Sequence, residues 1–106
     1  MRLKGEITMS EYMYTIAELT AKESKFDELK SILTDLATDT RKEAGAIEYF
    51  FILDKEKANT ILSYEKWRTV DDESAHWETP HLNSAIEKLN NVLVTKPVIH
   101  KGQQII

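Results

Sequence analysis

Thr60-Ile61-Leu62-Ser63-Tyr64-Glu65-Lys66-Trp67, then Thr69 to His76, then Thr79-Pro80-His81, is the stretch on which the fold turns. Its first eight residues are rich in aliphatic and aromatic side chains without a helical period, so they read as a strand. Thr69 with Asp72 has the spacing of a helix cap, and only about two turns of helix fit before Thr79-Pro80. Pro80 disfavours helix at Thr79 but suits the first position of a new helix, for which Thr79 is a good N-cap. The same stretch gathers Tyr64, Glu65, Trp67, His76 and His81. Nowhere else do rings, a carboxylate and imidazoles come so close in sequence.

Upstream, Asp54-Lys55-Glu56-Lys57-Ala58-Asn59 is a polar connection of hairpin type, and Ala46 to Leu53 is a nearly continuous apolar run. Ile47, Tyr49, Phe51 and Leu53 fall on one side of this strand and Phe50 and Ile52 on the other, so both faces call for burial. Earlier still, Phe26, Leu29, Ile32, Leu33 and Leu36 recur at three- and four-residue steps. They predict an amphipathic helix to about Arg41, with Gly45 as its stop. Thr20 with Glu23, and Ser24 with Asp27, have capping-box spacing and place the helix start within Thr20 to Ser24. Tyr12 to Leu19 reads as the first strand. Downstream, Leu82, Ile86, Leu89 and Leu93 line one helical face, Lys96-Pro97 breaks the pattern, and Pro97 to Lys101 gives a short last strand.

The order strand, helix, strand, strand, helix pair, strand is the ferredoxin-like α+β pattern, βαββαβ, with helices on one face of an antiparallel sheet. The other face would expose rings from the second strand. A patch of that kind on a small domain predicts a homodimer closing sheet on sheet.

A chain of 106 residues is one domain, here residues 12–106 behind an N-terminal extension over residues 1–11, with Met9 and Met13 as alternative starts. The net charge of -4 and pI near 5.4 argue against a phosphate-binding surface, so nucleic acid is not an expected partner; a small molecule is. No cysteine is present, which excludes disulfides, thiolate metal sites and cysteine nucleophiles and fits the cytoplasm. No apolar run has the length of a membrane span, and Met1 to Glu6 is not followed by the apolar segment of a signal peptide.

His76 and His81 are the acid–base candidates, because an ordinary imidazole titrates near neutrality; the bland alternative is a surface or capping histidine. At a helix start the dipole disfavours imidazolium, which keeps His81 available as a neutral base. As a metal site the pair lacks the i, i+4 spacing of two ligands on one helix face, and the sequence offers no obvious third ligand. Trp67 and Tyr64 either line a ligand cavity or pack as core. Strand alternation puts Trp67 on the face of Glu65, Ser63 and Ile61, opposite Tyr64, so the two rings should not share one cavity. Glu65 reads as a salt-bridge partner of Arg68 or Lys66 rather than a base. Glycine occurs only at positions 5, 45 and 102, so there is no phosphate-binding loop, and no bound nucleotide cofactor is expected.

From Tyr12 to Gln103 the chain resembles the antibiotic biosynthesis monooxygenase family of the dimeric α/β-barrel superfamily, which includes quinol monooxygenase-like proteins. The resemblance lies in Ile16-Ala17-Glu18, Glu43-Ala44-Gly45-Ala46, Tyr64-Glu65-Lys66-Trp67, Ala75-His76 and Thr79-Pro80-His81. It implies a ferredoxin-like protomer, a homodimer, and a cavity between sheet and helices. It also implies oxygenation of a phenol, anthrone or quinol by O2 without metal, flavin or haem. On that reading His76 or His81 is the catalytic base, and Trp67 and Tyr64 contact substrate. Haem-degrading members carry an asparagine late in the first strand; Leu19 stands there, which argues against haem. Other members isomerise a small carbonyl compound, an autoinducer derivative, and a non-catalytic ligand-binding dimer is the third alternative.

Overall fold

The computed structural model describes residues 11–106. The N-terminal extension expected over residues 1–11 lies, apart from Glu11, outside them. The elements run β1 (Met13–Thr20), α1 (Phe26–Thr40), β2 (Ala46–Leu53), β3 (Thr60–Trp67), α2 (Val70–His76), α3 (Pro80–Leu89) and β4 (Val98–Gly102). The four strands form one antiparallel sheet in the order β2-β3-β1-β4. This is the ferredoxin-like α+β arrangement expected from the sequence.

The helices bury one face of the sheet. Leu29, Leu33 and Leu36 of α1 and Leu82, Ala85 and Leu89 of α3 pack with Leu19 and Ile61 of the central strands into the main core. A second cluster joins Ala37, Tyr49 and Trp67 at the other end of the sheet, where the functional residues collect. Burial of this apolar face, more than helix propensity, holds the short helices in place. Both caps read around Pro80 form: Thr69 Oγ1 accepts the Asp72 N–H at 3.1 Å, and Thr79 Oγ1 accepts the Leu82 N–H at 3.3 Å with Pro80 in the first turn of α3. Among the described residues no helix is long and apolar enough to cross a membrane.

Two local expectations are corrected. The first helix starts at Phe26 rather than within Thr20 to Ser24, and no side chain caps it. Thr20 belongs to the sheet instead: it pairs with Thr60, their hydroxyls meet at 2.9 Å, and its carbonyl accepts the Val94 N–H. Gly45 does not end a helix, since α1 closes at Arg41. It allows close approach: a Cβ there would collide with Cβ and Cγ of Asp72. Asp72 cannot easily withdraw, because its carboxylate holds Arg68 and Thr69. Gly45→Ala is therefore expected to destabilise the protein by about 1–3 kcal/mol, read as a lowered denaturant midpoint; an unchanged midpoint would contradict this packing.

Register explains β2. A bulge between Ala46 and Glu48 leaves Ile47 outside the alternation and 47% exposed. Beyond it Tyr49 and Phe51 face the helices, while Phe50 and Ile52 lie on the open face, 40% and 50% exposed.

Candidate functional site

Ser63, Glu65 and Trp67 alternate along β3 onto the helix-covered face, and all are buried. Between this face and helices α1 and α3 lies a cavity of about 550 Å³, lined by apolar side chains such as Leu33, Phe51 and Ile86 and by the polar groups of Ser63, Glu65, Tyr49 and His76.

Glu65 is held from two sides. Ser63 Oγ donates to its Oε2 at 2.9 Å and Trp67 Nε1–H donates to its Oε1 at 3.1 Å. The Ser63 oxygen in turn accepts the Ala17 N–H at 2.8 Å, tying the carboxylate to β1. Burial pushes the Glu65 carboxyl up to about 7, outweighing the two hydrogen bonds that favour its charged form. Tyr49, opposite Glu65 in the sheet, has its phenol pushed well above the ordinary range by burial and then by the Glu65 charge, so it stays a neutral hydroxyl.

His76 ends α2 and is almost fully buried. Its ring stacks at 4.7 Å on Trp67, and its Nδ1 is 2.7 Å from Glu43 Oε2. His81, in the first turn of α3, places its Nε2 2.7 Å from the same oxygen. An ionised carboxylate only accepts, so both imidazoles donate to Glu43, which fixes their tautomers: Nε2 of His76 and Nδ1 of His81 carry the lone pairs. Burial lowers the His76 pKa despite the opposing pull of Glu43. The ring is thus neutral at pH 7, oriented from behind by a carboxylate and part of the cavity wall.

On the far side, buried Glu73 of α2 accepts from Thr15 Oγ1 at 3.1 Å, Trp77 Nε1 at 2.8 Å and Lys101 Nζ at 3.2 Å. Lys101 also lies over the Trp77 ring, 4.8 Å from its centre. This network clamps α2 to β1 and to the edge strand β4, and sets Trp77 as part of the cavity wall.

The structure brings His76, His81 and Trp67 together and leaves Tyr64 out. Tyr64 lies on the open face, beside Phe50 at 5.1 Å and Tyr14 at 6.3 Å, as alternation requires. It does not line the cavity, which corrects its assignment as a substrate contact. Trp67 is also corrected in position: it stands behind the wall, supporting Glu65 and His76, and is not among the lining residues. The expected pairing of Glu65 with Arg68 or Lys66 is not formed; Arg68 binds Asp72 at 2.9 Å and Lys66 caps the Tyr12 ring at 4.3 Å. Glu43, Glu73, Tyr49 and Trp77 were not legible as site residues, although Glu43 stands in a quoted motif. Same-face alternation of Ser63, Glu65 and Trp67 is the signal that could have placed Glu65 in the site, but the expected salt bridge set it aside.

The structural relatives share this architecture. A conserved protein from Methanosarcina mazei Go1 superposes with a TM-score of 0.87 at 19% identity over 94% of this chain and 99% of its own. A Caulobacter crescentus CB15 protein, described as a candidate antibiotic biosynthesis monooxygenase, gives 0.86 at 19% over 95% and 96%. PA3566 from Pseudomonas aeruginosa gives 0.83 at 23% over 92% and 98%. In sequence, the uncharacterized protein sll1783 of Synechocystis sp. is 28% identical over 75 residues, 71% of this chain and 51% of the relative, so the chain spans about half the length of the curated relative it matches. Residues 13–88 match the model of the antibiotic biosynthesis monooxygenase family, and with its fold and its β3–α3 motifs in place the chain belongs to that family.

Proposed function

We propose that this protein is a cofactor-independent monooxygenase of small aromatic or quinol substrates. The observation that carries this reading is an apolar cavity of about 550 Å³ whose polar groups include two proton carriers, His76 and Glu65. A bound quinol gives its hydroxyl proton to Nε2 of His76, oriented by Glu43, or to Glu65. The electron-rich anion then reduces O2 itself; one oxygen atom enters the ring, the other leaves as water, and the quinol supplies the electrons. The protein contributes position, exclusion of water and proton transfer. Trp67 acts from behind the wall as a positioning residue, and His81 acts through Glu43.

Oxygen uptake by metal-free protein over a panel of reduced quinols tests this. The expected result is turnover that a folded His76→Ala, His81→Ala double variant lacks; equal rates with that variant would end the reading. The alternative, isomerisation of a small carbonyl compound, needs anion donors; Arg68 and Lys66 are both engaged away from the cavity, which leaves Lys96 as the lysine in its lining. Turnover under strict anaerobiosis would favour it. A non-catalytic module calls for solvent-facing histidines, whereas His76 is 3% exposed.

The same reading includes a homodimer in a cytoplasmic setting. Ile16, Phe50, Ile52 and Val98, each at least 40% exposed, share the uncovered face with Tyr14 and Tyr64. A second copy laid on this face would bury it. A dimeric mass by light scattering at micromolar concentration is expected, and a monomeric one would count against it.

A further inference from the structure

Glu43, His76 and His81 come from three separate pieces of chain: the α1–β2 connection, the last turn of α2 and the first turn of α3. One oxygen or nitrogen of each lies within 4.8 Å of the others, the only such group among the described residues. We propose that these three side chains bind a divalent transition cation of the zinc class. The ion would sit among Glu43 Oε2, His76 Nδ1 and His81 Nε2, replacing the two imidazole protons that now bridge them.

The two carboxylate contacts need little adjustment, and the larger movement is between the two imidazole nitrogens, which lie within 4.8 Å of each other and close to about 3.3 Å on the ion. With zinc–donor lengths of about 2.0 Å, two donors on a tetrahedral ion lie about 3.3 Å apart. Each imidazole nitrogen is now 2.7 Å from the carboxylate oxygen, so each contact opens by about half an ångström. Exposure shows which groups can move: the side chains of His81 and Glu43 are 21% and 17% exposed, while His76 is 3% exposed and held by the Trp67 stack. Two imidazoles and one carboxylate suit zinc and its neighbours rather than magnesium or calcium, which prefer all-oxygen shells. The partly exposed edge leaves room for water as a further ligand.

Coordination would also change the site chemically. A ring bound through Nδ1 carries its proton on Nε2, the atom that otherwise accepts one. An ion here would therefore turn His76 from base to donor and suppress the proposed oxygenation. That consequence rests on the proposed function; the binding does not.

Isothermal titration with Zn2+ at pH 7.5 is the test. One ion per chain is expected, at a dissociation constant of about 10 µM or tighter and weakened at least about tenfold in Glu43→Gln and His81→Ala. His100→Ala, altering the exposed histidine of β4, should leave binding unchanged. In the unmutated protein, ring 15N chemical shifts give an independent reading: Zn2+ should move His76 Nδ1 and His81 Nε2. No binding, binding indifferent to the first two variants, or shifts confined to His100 would each overturn the proposal, whatever the outcome of the oxygen-uptake assay.

Discussion

Trp67→Ala is expected to remove about 3–5 kcal/mol of folding stability, the range for truncating a large buried aromatic. Trp67 has 0% exposure and packs in one cluster with Ala37 and Tyr49. Its ring meets Tyr49 edge-on at 6.2 Å and His76 at 4.7 Å, so truncation opens a void bordered by both. It also strips Glu65 of the indole donor at 3.1 Å, leaving a buried carboxylate with Ser63 alone. Trp67→Phe separates the two terms, because it keeps most of the apolar volume and loses the N–H; about 1–3 kcal/mol is expected there. Denaturant unfolding of both variants against the parent protein measures the difference. A loss below about 1 kcal/mol in Trp67→Ala would mean that this ring does not anchor the site.

How much of this was legible depended on whether the deciding interaction was local. The caps at Thr69 and Thr79 were readable because donor and acceptor lie three residues apart in the chain. Thr20 with Glu23 offered the same spacing and did not cap, because sheet pairing set its hydroxyl against that of Thr60 and the Val94 N–H claimed its carbonyl. Tertiary demand overrode a local preference. The opposite facings of Trp67 and Tyr64 followed from the two-residue period of a strand. Glu65 was assigned to its sequence neighbours, yet that same period turns Lys66 to the other face and Asp72 captures Arg68. Glu43 lies 33 residues from His76 and 38 from His81, and only the folded chain brings them together. A cavity between sheet and helices was expected only through the family resemblance, and its volume and lining were not legible, since its walls come from strands and helices whose spacing only the packing sets.

The pH dependence of stability should isolate Glu65. Its carboxyl titrates near 7 in the folded protein against an ordinary 4.5, so between these values the native state holds a proton that the unfolded state has released. Stability therefore falls as pH rises from about 4.5 to about 7, by on the order of 3 kcal/mol, and this contribution is flat above that. His76 works in the other direction. Burial lowers its pKa below the ordinary 6.5, so the unfolded state protonates first, and stability is lost as pH falls below about that value. The two slopes oppose each other in the unmutated protein and hide one another. Glu65→Gln removes only the first, with amide groups able to keep contact with Trp67 and Ser63. Relative to the parent, the variant should gain on the order of 3 kcal/mol between pH 4.5 and pH 8, with the His76 contribution common to both and cancelling. Unfolding free energies measured at four or five values across that range give the difference directly. A constant difference would place the Glu65 carboxyl in the ordinary range and remove it as a proton carrier. A rising one would show a buried carboxyl poised near neutrality beside the cavity, as proton transfer at physiological pH requires.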